Sequence, residues 1–257
     1  MYQMVISLIQ NSVEWLDFTT NSRSYEELIR GCEGSSLILL PEMFSTGFST
    51  SPSESSKSGE AALDWLAKMA HKYQTAVGGS LAIKDGDKYY NRFYVVEKSG
   101  KINQYDKHHL FTFAGEHHNY TEGEERMVIE IEGVRILLLV CYDLRFPVWS
   151  RNRGDYDVMA IVANWPKSRR NAWDTLLKAR AIENVSYVCG VNIVGSDPNC
   201  TYSGGTAAIN FMGEVVDSVE DDMVGVATLN IDMNALHEFR AKFPTLDDAD
   251  DFEIKFN

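Results

Sequence analysis

Cys141 stands where a buried strand must stop: the run Val134-Arg135-Ile136-Leu137-Leu138-Leu139-Val140 precedes it and Tyr142-Asp143-Leu144-Arg145-Phe146-Pro147 follows. A β-rich run that feeds a cysteine into a Pro-limited turn presents the thiol at a strand end of an α/β fold. Two other stretches deliver polar groups in the same way. Leu37-Ile38-Leu39-Leu40-Pro41 leads to Glu42, and Tyr105-Asp106 leads to Lys107. A carboxylate, an ammonium and a thiol are thus offered from the edges of buried elements, which is the set that acyl transfer through a thiol requires.

Strands and helices alternate along the chain. The spacing predicts strands over 1–10, 37–40, 76–83 and 89–97, a helix ending over 22–31 and another over 60–73. On the latter, Ala61, Leu63, Trp65, Leu66 and Met69 form the apolar side. Residues 45–59, rich in Ser, Thr and Gly, read as a flexible loop walling a pocket beside Glu42. The aperiodic segment 111–123 reads as functional. In the second half, strands are expected over 128–131, 134–140, 158–163 and 187–194, a short helix over 149–154, and an amphipathic helix over 173–184 carrying Leu176, Leu177, Ala181 and Ile182. Strands over 206–211, 214–219 and 225–231 complete a second sheet. "LLPEM" and "IVANWP" end strands at comparable places in the two halves, which points to a duplication: two sheets packed face to face with helices outside. Residues 240–257, acidic with scattered aromatics, are too apolar to hang free and are expected to dock on the body or on a partner subunit.

Composition bounds the rest. At 257 residues and 44% hydrophobic content the chain can bury a large core, and no linker divides it, so one domain over 1–257 is expected. With 24 basic against 37 acidic residues, a net charge of −13, its field repels polyanions, so neither nucleic acid nor an anionic membrane is an expected partner. Residues 1–10 lack the basic start of a signal peptide, and no apolar segment approaches the roughly 18 residues of a membrane span. Cys32, Cys141, Cys189 and Cys200 form neither a CxxC pair nor a disulfide framework, which fits a reducing cytoplasm. The pairs His108-His109 and His117-His118 lack an HExxH spacing or a cysteine partner, so packing and loop hydrogen bonds are expected of them and no metal.

A thiol needs a base, and the oxyanion that its attack creates needs a cation or N–H donors. Glu42, between an apolar strand and Met43-Phe44, is placed to be buried and to take the Cys141 proton. Lys107 offers positive charge to thiolate and oxyanion, and the amide N–H of Tyr142 is a second donor. No histidine partner for the cysteine is evident, which separates the set from papain-like chemistry. The trio Glu42 in "LLPEMF", Lys107 in "YDKHHLF" and Cys141 in "LLVCYDLRFP" resembles the Glu-Lys-Cys triad of the nitrilase superfamily, the carbon–nitrogen hydrolases. The likeness continues through "ANWPKSR", "ARAIENVSYVCGVN" and "KFPTLDDADDF", and with "AGEHHNYTEG" the chain is similar to the bacterial omega-amidase branch.

That resemblance implies a four-layer αββα sandwich, a homodimer joined across the nucleophile-bearing face, and neither cofactor nor metal. It implies hydrolysis of the terminal amide of small 2-oxo acids, 2-oxoglutaramate or 2-oxosuccinamate, to the dicarboxylate and ammonia through a cysteine thioester. By motif, Glu42 would be the general base, Lys107 the oxyanion stabiliser, Cys141 the nucleophile, and Glu116 in "KHHLFTFAGE" the second glutamate that positions them. Ile193, Gly205 and Thr206 depart from the branch pattern, which bears on substrate preference. Rival readings are another superfamily substrate (deaminated glutathione, an N-carbamoyl amine or a nitrile) and a catalytically silent scaffold.

Around this centre the expectations divide. Arg145 either grips a substrate carboxylate with a bidentate fork or pairs with Asp143. Trp165, Phe44 and Tyr120 either wall the acyl pocket or fill the core, and His117 with His118 is a candidate donor to the carboxylate. Cys189 reads as core, and Cys32 and Cys200 receive no role.

Overall fold

A computed structural model describes residues 4–255; the part of the expected first strand over residues 1–3 lies outside the described residues. In chain order the first half runs β1 (Val5–Gln10), α1 (Phe18–Ile29), β2 (Leu37–Leu39), α2 (Pro52–Ser55), α3 (Gly59–Tyr73), β3 (Ala76–Asp85), β4 (Lys88–Val96) and β5 (Ile102–Asp106). The second runs β6 (Val128–Ile131), β7 (Val134–Val140), α4 (Pro147–Ser150), β8 (Val158–Val162), α5 (Arg170–Asn184), β9 (Tyr187–Val191), β10 (Val194–Ser196), β11 (Thr201–Ser203), β12 (Ala207–Ile209), β13 (Val215–Ser218), β14 (Gly225–Asn230) and α6 (Met233–Lys242). One six-stranded sheet has the order β14-β1-β2-β3-β4-β5 and the other β13-β12-β9-β8-β7-β6. Each has three adjacent parallel strands, β1-β2-β3 and β7-β8-β9. The two halves therefore correspond, with β2 and β8 in the same central place.

Strand pleating explains why β2 is apolar at every position. Leu37 and Leu39 point into the core between the sheets, while Ile38 and Leu40 point the other way, beneath Tyr25 and Ile29 of α1 and Trp65, Leu66 and Met69 of α3. The second sheet is covered on its outer face by α5, whose Trp173, Leu177 and Ala181 are buried and continuous with the core of that sheet. This is the four-layer αββα sandwich. Helix boundaries follow local chemistry: the Asp17 carboxylate accepts the Thr20 N–H at 3.0 Å to start α1, four residues before the expected end segment, and Asp232 caps α6 through the Ala235 N–H at 2.9 Å.

Several expectations are corrected. The strand at 225–231 does not extend the second sheet: β14 pairs antiparallel with β1 and closes an edge of the first. Residues 45–59 are not a flexible loop. Ser45, Thr46 and Ser49 are buried, Asn21 Nδ2 donates to the Ser45 carbonyl at 2.9 Å, Leu16 N–H to that of Thr46 at 3.0 Å, and α2 follows. Ala62 rather than Ala61 faces the core on α3, and Ile182 on α5 is exposed; both misplaced residues lie at the edge of an apolar face whose centre, Trp65, Leu66 and Met69 on α3 and Leu177 and Ala181 on α5, is buried as expected. The expected helix at 149–154 is α4 instead, started by Pro147 at its first position. The strand at 187–194 breaks after Val191, and Val194 begins the separate β10–β11 hairpin. The C-terminal segment docks on the body of its own chain, where Leu246 and Ile254 pack against the core and Phe252 lies under the Arg153 guanidinium at 4.5 Å.

Gly123 lies against the end of β5, donating its N–H to the Lys107 carbonyl at 3.0 Å. A Cβ there would overlap the Asp106 carbonyl, a backbone group that cannot swing aside. Gly123→Ala is expected to lower the denaturant midpoint by an amount equivalent to about 1–3 kcal/mol with an unchanged m-value. A midpoint equal to that of the parent protein would show that this contact is not tight.

Candidate active site

The ends of β2, β5 and β7 meet at one edge of the inter-sheet seam. Just past β2, Met43 takes a φ of 42° and its N–H donates to Ser80 Oγ at 2.9 Å, so the chain bends as Glu42 enters the seam. The Glu42 side chain is 0% exposed. Its Oε1 accepts Lys107 Nζ at 3.0 Å and Asn91 Nδ2 at 2.8 Å, and its Oε2 accepts the Asn164 N–H at 2.8 Å. Asn164 follows β8 and also donates its side-chain amide to the Glu42 carbonyl at 2.7 Å. The two corresponding strand ends are thus hydrogen-bonded to each other.

Lys107 continues the β4–β5 pairing by one residue, its N–H donating to the Asn91 carbonyl at 3.0 Å. Its buried ammonium bridges Glu42 and Glu116, at 2.9 Å from Glu116 Oε2. Glu116 is buried, and accepts the Phe111 N–H at 2.6 Å and Asn91 Nδ2 at 3.1 Å. Burial works against the Lys107 charge, but the Glu116 and Glu42 carboxylates outweigh it and hold its pKa above the ordinary lysine value. For Glu116, burial raises the pKa; Lys107 opposes this and the Glu42 charge adds to it.

Cys141 opens a 3₁₀ turn, Cys141–Arg145, directly after β7, with a φ of 46°. Holding a residue with a Cβ in that left-handed region costs about 1–2 kcal/mol. Asp143 clamps the turn: one carboxylate oxygen accepts the Val140 N–H at 3.0 Å and Tyr105 OH at 2.8 Å, the other the His109 N–H at 2.9 Å. The His109 ring adds Nδ1 at 2.8 Å and stacks on Phe146 at 3.7 Å. Burial first, and then the Glu42 charge, push the Cys141 thiol well above its ordinary pKa, with Lys107 opposing. At neutral pH the resting sulfur is therefore a protonated thiol, with the Lys107 ammonium alongside.

A cavity of about 330 Å³ opens over these groups, with Glu42, Lys107 and Cys141 at its base. Tyr142, Arg145 and Trp165 line it as expected. Arg145 does not pair with Asp143, whose oxygens are already taken; its guanidinium lies over the Trp165 ring at 4.8 Å. Phe44 is outside the lining, buried between Tyr25 and Trp65. Tyr120 is buried beneath the wall, donating to the Ser49 carbonyl at 2.9 Å. His117 is exposed and also lies outside the lining. Ile193, Gly205 and Thr206 do not reach the cavity: the absent Gly205 side chain leaves room for Arg170, and Thr206 Oγ1 accepts the Asn192 N–H at 3.0 Å. Cys189 is core, whereas Cys200 lines the cavity.

Sequence reasoning missed Asn91, Asn164, Asp143 as a clamp, and the walls Phe48, Phe111, Arg169 and Tyr202. Asn91 carried a signal, a lone amide among the aromatics of "YYNRFY". Among the described residues no helix is long and apolar enough to cross a membrane.

Comparison with known proteins gives a consistent picture. Residues 5–241 match the family model described as carbon–nitrogen hydrolase. The chain is 43% identical over 250 residues to the omega-amidase YafV of Escherichia coli, covering 97% of this chain and 98% of that one. It is 32% identical to a 2-oxoglutaramate amidase of Bacillus subtilis, over 95% and 96% of the two chains. Among solved structures, a carbon–nitrogen hydrolase superfamily protein of Xanthomonas campestris with an arsenic adduct in its active site superposes with a TM-score of 0.95 at 39% identity, covering 99% and 100% of the chains.

The electrostatics yield a signed expectation. Burial and Glu42 raise the Cys141 pKa and Lys107 lowers it, so removing the carboxylate charge in Glu42→Gln takes away one raising influence while that of Lys107 stays. The pH at which thiolate absorbance appears, or at which alkylation of Cys141 accelerates, should fall in that variant. A midpoint that stays or rises would refute the arrangement.

Proposed function

The chain belongs to the carbon–nitrogen hydrolase family, and from that premise we propose that it is an omega-amidase, converting 2-oxoglutaramate or 2-oxosuccinamate to the 2-oxo dicarboxylate and ammonia. The observation that carries the reading is the thiol, ammonium and buried carboxylate of Cys141, Lys107 and Glu42 at the base of a cavity, with Glu116 bonded to Lys107 behind them, and on the cavity wall the Arg145 guanidinium, which has no carboxylate partner among the described residues. The omega-amidase and 2-oxoglutaramate amidase relatives support the substrate class.

In this reading Glu42 takes the Cys141 proton as sulfur attacks the amide carbon. The oxyanion forms against the Lys107 ammonium and the Tyr142 N–H, donors already in place and shielded from water, so no reorganisation is needed when charge develops. Glu42 returns the proton to the departing nitrogen, ammonia leaves, and a thioester remains on Cys141. Glu42 then activates a water to release the acid. Glu116, sharing Lys107 and Asn91 with Glu42, holds the ammonium in line. Arg145 takes the distal carboxylate in a bidentate grip. A homodimer across the nucleophile-bearing face belongs to the same reading, supported by the exposed apolar side chains of Val148 on α4 and Ile182 on α5. All four cysteines are free thiols, which supports the reducing cytoplasm expected above.

Ammonia release from 2-oxoglutaramate, 2-oxosuccinamate, glutamine, an N-carbamoyl amine and a nitrile tests the assignment. The expected result is a far higher kcat/KM for the 2-oxo acids than for glutamine; equal values would remove the omega-amidase reading and leave the amidase family. Cys141→Ala should abolish turnover in a folded protein, and Cys141→Ser should fail nearly as badly because an alkoxide is harder to form than a thiolate. Lys107→Met should lower kcat by about 100- to 1000-fold, the usual loss for an oxyanion donor. Turnover near the parent level in any of these would reject the roles given.

A further inference from the structure

Two guanidinium groups enter the cavity, and among the described residues neither has a carboxylate partner. Arg145 lies over Trp165, and Arg169 lies 5.3 Å from the Phe111 ring centroid and 5.1 Å from that of Phe113. Most of the arginines that are not exposed are paired with an acid, Arg151 with the Glu183 carbonyl being another exception. Arg92, Arg126, Arg135, Arg180 and Arg240 each meet an Asp or Glu. The contrast is sharpest next door, where Arg170 is neutralised by Asp174 and Asp221, each at 2.7 Å. The cavity's own Asp197 does not answer Arg169, because it accepts the Asn199 and Cys200 N–H groups, both at 2.7 Å, and Tyr202 OH at 2.6 Å.

We propose that Arg169 is a specificity-determining residue that donates a hydrogen bond to the 2-oxo oxygen of the substrate and excludes a 2-ammonium group. The inference rests on the omega-amidase reading and adds to it. One guanidinium suffices for the single carboxylate of a 2-oxo acid amide, and Arg145 supplies it. A second, unneutralised guanidinium in the same cavity then meets the atom on the neighbouring carbon. A carbonyl oxygen there gains a charge-assisted hydrogen bond. An ammonium there, as in glutamine, sets cation against cation and donor against donor in a partly dry pocket.

The geometry gives the group a fixed base. Arg169 directly precedes α5, and its carbonyl accepts Trp165 Nε1 at 2.9 Å, so the backbone of one arginine is tied to the indole on which the other lies. The Phe111 and Phe113 rings hold the guanidinium by their faces, which steadies a cation without cancelling its charge.

The test compares 2-oxoglutaramate with glutamine in the parent enzyme, Arg169→Gln and Arg169→Lys. For Arg169→Gln, kcat/KM for 2-oxoglutaramate should fall about 10- to 100-fold, mainly through KM, as expected for losing one hydrogen bond to a charged group. Glutamine should lose nothing or gain, so the substrate ratio contracts, while Arg169→Lys keeps most of the ratio. An equal loss on both substrates would assign Arg169 to loop structure, and an unchanged ratio would give it no part; either overturns the inference. Should Arg169→Gln fail to fold, inhibition of the parent enzyme by 2-oxoglutarate against L-glutamate decides, with comparable inhibition as the overturning result. Failure of the parent enzyme to turn over 2-oxoglutaramate removes the omega-amidase reading itself, whereas turnover with an unchanged ratio in Arg169→Gln removes only this inference.

Discussion

A buried carboxylate holds the two halves of the sandwich together at the chemical centre. Glu42 leaves the first sheet and receives a backbone N–H from Asn164 of the second, while Asn91 and Lys107 approach it from its own sheet. An uncompensated charge at that depth would cost several kcal/mol, so each donor is obligatory. The requirement propagates outward. Lys107 needs a second carboxylate to balance its burial, Glu116 provides it, and Glu116 is in turn fixed by the Phe111 N–H that begins the cavity wall. Packing of the sheets, protonation of the thiol and shape of the pocket are therefore parts of one electrostatic arrangement.

Much of the fold was legible because strand and helix periods are local. The run at 37–40 announces burial on both faces, and the corresponding "LLPEM" and "IVANWP" ends anticipated that β2 and β8 occupy equivalent places. Pairing is not local, and that is where reading failed: nothing in residues 225–230 distinguishes a strand that extends the second sheet from one that crosses to β1. The Ser- and Thr-rich stretch after Glu42 misled for a related reason. Its hydroxyls and carbonyls find partners on α1 and Tyr120, elements remote in sequence, so a composition that usually marks mobility here marks a hydrogen-bonded wall.

The site divides in the same way. Glu42, Lys107 and Cys141 could be named because each ends a predictable element, whereas Arg145 and Arg169 could not be sorted from surface charge without knowing which carboxylates lie near. Phe44 and Tyr120 sit near motif residues in sequence yet serve the layer behind the pocket, since the chain turns between each motif residue and the aromatic that follows it, at Met43 and through the 3₁₀ turn Glu116–His118. Asn91 and Asp143 do their work through hydrogen bonds to groups far along the chain, and no spacing rule exposes them.

The left-handed backbone at Cys141 places stability and chemistry in opposition at a single residue. Glycine would relieve the conformational cost there, but it would also delete the sulfur. The Asp143 clamp keeps that cost tolerable. A cysteine in a glycine's conformation thus puts the thiol at the strand end against the preference of the backbone.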